Sequence, residues 1–246
     1  MVAMGHLATM PSAYFSTDMG VFYLGNAYEL MPLVPSESVD LVLTDPPYGV
    51  GSGEASGFSG YVDRGYDVPF VSKELWRILK PDSRAFVFVA QKNLVEVITG
   101  FVSSGFTLHQ ILVWHRPNLF GGTKKKTYEF TNVYENILVL HKGKPPKLKK
   151  VEGLHNTDIL KYAMPQGNFV KDRRYHVHQK PLDLIRHLVL VSTEPGQLVF
   201  DPFAGSGTTA VASESTGRRW MCFELEPHYF EVARVRVSKE SRIPNI

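Results

Sequence analysis

The 246-residue chain has a single cysteine, which excludes a disulfide framework. That residue, Cys222, lies in the apolar run Trp220-Met221-Cys222-Phe223, where a buried structural thiol is expected rather than a nucleophile. No apolar run approaches the length needed to span a bilayer. Residues 1–12 carry no Lys or Arg ahead of their small apolar stretch, unlike a secretory signal, and are expected to form a loose tail. Together these absences point to a cytoplasmic protein without a membrane partner. Two nucleotide-binding signatures are missing as well: there is no full Gly-x-Gly-x-x-Gly and no Walker lysine, which argues against NAD and ATP.

What is present is ordinary globular composition, with 43% hydrophobic and 21% charged residues, enough for one large α/β domain with an inserted region. The net charge of +3 is unevenly spread. His115 to Arg186 holds 15 Lys and Arg against 6 Asp and Glu, a surplus of 9, while the remainder holds 12 against 18, a deficit of 6. A basic block beside an acidic remainder favours a polyanionic partner over a merely solvated surface. Its clusters are Lys124-Lys125-Lys126, then Lys142 to Lys150 with Lys147, Lys149 and Lys150, and later Lys171, Arg173 and Arg174. Tyr128, Phe130, Tyr162, Phe169 and Tyr175 are interleaved, a mixture suited to phosphates and bases, although core packing is the stronger expectation for any single ring.

The stretch around which the chain is organised is Val39 to Gly49. Its first half, Val-Asp-Leu-Val-Leu-Thr, reads as a buried parallel strand, and Pro46-Pro47 cannot donate ladder hydrogen bonds, so the strand stops there. Open α/β sheets bind ligands beyond such strand ends. Asp45-Pro46-Pro47-Tyr48 suits one task, holding a flat, weakly nucleophilic amine. The Asp45 carboxylate and the Pro46 carbonyl are two acceptors for one NH₂ group, the prolines stiffen the turn, and Tyr48 offers a face for stacking. A capped turn after a core strand is the plainer alternative.

Along the chain, Val21–Leu24 reads as a strand, Ala27 onward as a helix, and the glycine- and serine-rich stretch from Gly49 to Gly65 as a flap bearing Phe58, Tyr61 and, just beyond it, Tyr66. A helix carrying Leu75, Trp76, Ile78 and Leu79 is expected to stop at Lys80-Pro81. Strands are expected at 85–90, 108–115 and 136–141, the last two as antiparallel edge partners, with a helix at 93–103 between the first two. From Pro181, the residues Leu182, Ile185, Leu188, Val189 and Val191 form a helical apolar face. A second anchor follows: the strand 197–200 runs into Asp201-Pro202-Phe203-Ala204-Gly205-Ser206-Gly207-Thr208, and a helix opens near Ala210. Glycines there allow close backbone approach to a ligand, and a helix amino terminus favours an anionic group such as a carboxylate. About twenty residues on, Glu224 ends the next strand, where an acid can hold ribose hydroxyls.

Taken together, Thr44-Asp45-Pro46-Pro47-Tyr48-Gly49 and Asp201 to Thr208 resemble the paired signatures of S-adenosylmethionine-dependent DNA amino-methyltransferases. The order, with the Asp-Pro-Pro-Tyr motif first and the glycine motif last, resembles the β class. His178-Gln179-Lys180-Pro181, Ile111 to Pro117 and Glu135 to Gly143 fit the same pattern, so the resemblance covers about Tyr23 to Val237. It implies a seven-stranded, mostly parallel Rossmann-like sheet, circularly permuted, with residues 118–176 inserted as a DNA target-recognition region.

By the same resemblance, Asp45, Pro46, Pro47 and Tyr48 would carry catalysis. Gly205, Ser206, Gly207 and Thr208 would surround the methionine part of the cofactor, with Gln179 and Lys180 near its carboxylate. Phe203 would pack on the cofactor, Glu224 would take the ribose, and Asn26, where the family often has Asp, would lie near the adenine. Asp45, His178, Asp201 and Ala204 complete that set. Lys124, Lys125, Lys126, Lys147, Lys149, Lys150, Arg173 and Arg174 would contact DNA. No metal is implied, although His176, His178 and Asp172 lie close in sequence.

The implied partner is double-stranded DNA, with a second copy of the chain a further possibility. The implied reaction is methylation of adenine N6 on a flipped-out base. Cytosine N4 is the alternative, since Asp-Pro-Pro-Tyr is typical of adenine enzymes and Ser-Pro-Pro-Tyr of cytosine enzymes without a strict boundary. An RNA methyltransferase and a catalytically silent DNA-binding regulator are further rivals.

Overall fold

The computed structural model describes residues 10–49, 51–52, 62–63, 65–119, 130–166, 174–176 and 178–240. Eleven strands occur among them: β1 (Tyr14–Ser16), β2 (Gly20–Leu24), β3 (Val39–Thr44), β4 (Gly51–Ser52), β5 (Val62–Asp63), β6 (Leu79–Val89), β7 (Thr107–His115), β8 (Tyr134–Lys142), β9 (Ile159–Lys161), β10 (Leu198–Asp201) and β11 (Arg219–Glu224). Six α-helices accompany them: α1 (Ala27–Leu30), α2 (Val68–Ile78), α3 (Leu94–Ser103), α4 (Leu182–Ser192), α5 (Thr208–Ser215) and α6 (Pro227–Glu240).

Nine strands form one sheet in the order β1-β2-β11-β10-β3-β6-β8-β7-β9. The run from β2 through β11, β10 and β3 to β6 is parallel throughout. β8 is antiparallel to both β6 and β7. The expected seven strands are therefore all present, and the count rises to nine because short β1 and β9 extend the two edges. Neither had a long apolar run to announce it.

Helices cover both faces. On one, α4, α5 and α6 pack on Phe22, Leu41, Leu43, Phe86 and Phe88. On the other, α1, α2 and α3 pack on Val39, Val42, Val87, Phe200 and Phe223. The central strands are buried on both sides, which explains their near-continuous apolar runs. Leu79 begins β6 directly after α2 instead of ending the helix, and Pro81 does not stop the chain. The β3–β6 register shifts between Val39 and Leu41, and Pro81 falls in that irregularity, where its missing N–H costs no ladder bond.

Within residues 118–176, β8 lies inside the sheet and β9 lies on its edge. After β10 the chain winds toward β11, and after β3 it winds the other way toward β6, so the two motif strands flank the point where strand order reverses. Crevices at such points are where α/β sheets take ligands.

Candidate active site

The carboxyl ends of β2, β3, β10 and β11 open onto one cavity of about 530 Å³. Asn26, Asp45, Pro46, Pro47 and Tyr48 line it from one side. Phe203, Ala204, Gly205, Ser206 and Thr208 line it from another, and His178, Gln179, Lys180, Asp201 and Glu224 complete it. Of the expected catalytic and cofactor residues, Gly207 alone does not line the cavity. It takes φ of 79° as the residue preceding α5, and a Cβ there would meet the Ala233 Cβ at 2.7 Å. Its lack of a side chain lets α6 close against the loop.

The two motifs are tied together beneath the cavity. The Asp201 carboxylate accepts from the Thr44 hydroxyl at 2.8 Å, the Thr209 hydroxyl at 2.7 Å and the Phe203 N–H at 3.1 Å. Burial raises its pKa to about 6 against the opposing pull of these donors. Asp201 thus welds the end of β10 to the end of β3, and replacing it by Ala would leave buried hydroxyls unsatisfied at about 1–3 kcal/mol. From behind, the buried Arg236 of α6 donates to the Ser206 carbonyl (2.9 Å), the Ser206 hydroxyl (3.0 Å) and the Thr208 hydroxyl (3.1 Å).

Glu224 receives the Gly205 N–H and the Glu226 N–H, each at 2.8 Å. Burial raises its pKa to about 7 although these amides favour the charged form. With the Leu225 N–H as a third donor, one acceptor position of the carboxylate is left for a further donor. The Asn26 side chain is occupied as the cap of α1, accepting from the Tyr28 N–H at 3.1 Å. The Gln179 side-chain oxygen accepts from the Tyr175 N–H at 2.7 Å. His176, not singled out for this cavity from sequence, lines it beside Gly205, and burial lowers its pKa to about 3.

Asp45 is the centre of a charged chain. It ion-pairs with Lys180 and accepts a hydrogen bond from the Tyr48 hydroxyl. Lys180 also faces Glu135 at 3.2 Å, and Glu135 in turn pairs with Arg116 at 3.1 Å. The Lys180 ammonium lies 5.0 Å from the Phe88 ring centroid and 5.9 Å from that of Trp114. Burial works against its charge, but Asp45 and Glu135 together hold its pKa above the ordinary value. Burial raises the Asp45 pKa, with Lys180 opposing. Lys180 is thus committed to the acceptor Asp45, a different arrangement from the one expected beside a cofactor carboxylate.

Beside Tyr48 a smaller cavity of about 300 Å³ shares His178 and Gln179 with the first and is lined further by Arg116, Glu135 and Arg174. Arg174 is therefore at the site. Lys124, Lys125, Lys126 and Arg173 lie outside the described residues, as do Asp172, Phe58 and Tyr61. Lys147, Lys149 and Lys150 are not brought to the cleft. The Lys149 N–H donates to Val191 O, and its ammonium donates to Thr193 O and pairs with Glu194 at 2.8 Å. These contacts are at the amino ends of the parallel strands, because β8 runs antiparallel and delivers the chain to the far end of the sheet. Among the described residues no group of three or more His, Cys, Asp or Glu could hold a metal, and no helix is long and apolar enough to cross a membrane.

The mostly parallel sheet thus brings an acceptor turn and a glycine loop to one crevice. The DNA methylase family pattern, that of N6 and N4 amino-methyltransferases, matches residues 39–235, and the chain belongs to that family. It is 25% identical over 262 residues to the DNA adenine methyltransferase YhdJ of Escherichia coli K12, covering 92% of this chain and 85% of that one. Among solved structures, the cytosine-N4-specific PvuII DNA methyltransferase superposes with a TM-score of 0.75 at 24% identity, covering 90% of this chain and 87% of that one. A DNA modification methylase of Thermus thermophilus complexed with S-adenosyl-L-methionine gives 0.64 at 24% identity, covering 90% and 94%. At these identities the two structures bear on the fold alone. The cofactor is S-adenosyl-L-methionine.

The cavity suits that cofactor. It offers a half-buried acid with spare acceptor capacity at Glu224, a helix amino terminus at α5 and an aromatic face at Phe203.

Proposed function

We propose that the protein methylates the exocyclic N6 amine of adenine in duplex DNA, acting on a base flipped out of the stack. The observation that carries this reading is that Asp45, Pro46 and Tyr48 open onto the same cavity as the 203–208 loop and Glu224. An exocyclic amine is a poor nucleophile because its lone pair is delocalised into the ring, and within a duplex it is also hydrogen-bonded, so the base must leave the helix.

Asp45 and the Pro46 carbonyl accept the two amine hydrogens and localise the lone pair on nitrogen. Tyr48 stacks on the ring, while its hydroxyl helps to fix the Asp45 carboxylate. Lys180, clamped by Glu135, holds that carboxylate from the other side. When bound, S-adenosyl-L-methionine supplies an electrophilic methyl group on a sulfonium. Ser206 and Thr208, steadied by Arg236, and the α5 amino terminus hold its amino-acid end, Glu224 its ribose, and Phe203 and Asn26 its adenine. Arg174 and Arg116, which line the smaller cavity beside Tyr48, would meet the phosphates flanking a flipped base. Catalysis rests on positioning and electrostatics.

Adenine is favoured over cytosine by Asp45 at the first motif position and by similarity to a relative named as an adenine enzyme. The PvuII enzyme is named for cytosine N4, but its likeness at 24% identity carries no base preference to this chain. Unmethylated genomic DNA treated with the protein and S-adenosyl-L-methionine, digested to nucleosides and separated by chromatography and mass, tests the reading. N6-methyldeoxyadenosine is expected, and N4-methyldeoxycytidine as the dominant product would overturn it.

A further inference from the structure

On the β6 face that carries Phe86 and Phe88, but toward the amino end of the strand, Arg84 is only 6% exposed. Its Nη2 donates to the Pro146 carbonyl and its Nη1 lies 3.5 Å from the Ser192 hydroxyl. Among the described residues its Nε has no hydrogen-bond partner and its guanidinium pairs with no carboxylate. Buried charges are ordinarily paired, because a guanidinium taken out of water without a counter-charge is costly.

Arg84 lines a cavity of about 390 Å³ that is separate from the methyltransferase cleft. Three histidines line it too. His109 and His141 stack with ring centroids 4.5 Å apart. His187 is held by the Tyr162 hydroxyl at 2.7 Å and by Asn156 at 3.2 Å. The exposed Lys144 and Lys147 line it as well, and Leu112, Val139, Leu160 and Leu188 add apolar surface. No Asp or Glu is among its lining residues. The nearby acids are engaged elsewhere: Asp82 accepts the Lys144 N–H at 2.8 Å, and Glu194 pairs with Lys149 at 2.8 Å.

We propose that this cavity is a second ligand site for a small amphiphilic oxyanion, an apolar or aromatic body bearing one carboxylate or phosphate group. The head group would meet the Arg84 guanidinium between the histidines and the two lysines, and the body would lie on the apolar wall. The size falls within the range of small-molecule pockets, which are mostly apolar with a few convergent polar groups. The position also explains why a basic cluster sits at the end of the sheet remote from the cleft.

Calorimetric titration of the full chain with 1-naphthyl phosphate, 1-naphthoate and neutral 1-naphthol tests the proposal, with S-adenosylhomocysteine present to occupy the cleft. At least one anion is expected to bind in a saturable one-to-one manner, at least about tenfold tighter than the naphthol. The better anion identifies the head group. Joint Lys144→Glu and Lys147→Glu replacement, on exposed side chains, should weaken it about threefold or more. Arg84→Gln should weaken it further, and Leu160→Trp should block it by filling the cavity. Equal affinity for naphthol, absence of saturable binding at millimolar anion, or unchanged binding in the lysine variant would overturn the proposal, and none of these depends on the buried variants folding.

Discussion

Two buried cations lie along the same face of β6, at opposite ends of the sheet, and they are treated differently. Lys180, at the carboxyl ends, faces Asp45 and Glu135 and three aromatic rings. Arg84, toward the amino ends, has backbone and hydroxyl oxygens but no carboxylate. A buried cation with two carboxylates is an internally balanced device, and its work is to orient the acid it holds. A buried cation without one that also lines a cavity has room there for an anion. The first end is therefore read as a preorganised site for a neutral amine, the second as a receptor for an anion.

The basic residues sharpen this contrast. Neutralising Lys124, Lys125 and Lys126 together is expected to weaken duplex binding on all sequences by about one to two orders of magnitude at moderate salt, with the salt slope falling by up to about one unit per lost phosphate contact. Neutralising Lys147, Lys149 and Lys150, at the far end of the sheet, should leave that slope unchanged. Filter binding across a salt series measures both, and equal losses would assign both clusters to the DNA contact.

A smaller effect is expected at Glu135, which acts on Asp45 through Lys180 and also pairs with Arg116. Glu135→Gln should lower kcat by about tenfold, within the scale of a misplaced catalytic group, while KM for the cofactor stays near its original value. Should the KM rise and kcat remain, Lys180 would be serving the cofactor instead.

The smallest expected effect concerns pH. With the Glu224 pKa raised to about 7, the acid is partly protonated near neutrality, and ribose hydroxyls prefer to donate to the carboxylate. Cofactor affinity should therefore weaken by a few fold as pH falls from about 8 to about 6. Glu224→Gln should bind more weakly at high pH and lose that dependence. A pH trend of the same size in the variant would assign it to another group.

Much of this molecule could be read in its residues. The strand ends at 44–48 and 201–205 were legible because each joins an apolar run to residues that stop a ladder, and the sheet order that brings them together followed from the motif order. Contacts that depend on distant pairing were not. Arg236, Arg116 and Glu135 reach the site from α6, the loop after β7 and β8, and nothing local distinguishes them from surface charges. Asp201, expected at the cofactor, is also the bolt between β10 and β3, which only the Thr44 contact reveals. The position of Lys147 and Lys149 at the amino ends of the parallel strands was not legible either, because it depends on the antiparallel direction of β8.

The central claim is that Asp45 works on the target amine and not on the cofactor. Asp45→Ala keeps Lys180 paired through Glu135, so the fold should survive, and single-turnover methyl transfer can be measured beside calorimetric binding of S-adenosyl-L-methionine in one preparation. The transfer rate is expected to fall by about a thousandfold or more while cofactor affinity stays within about tenfold of the original. Transfer at a near-normal rate would contradict the account.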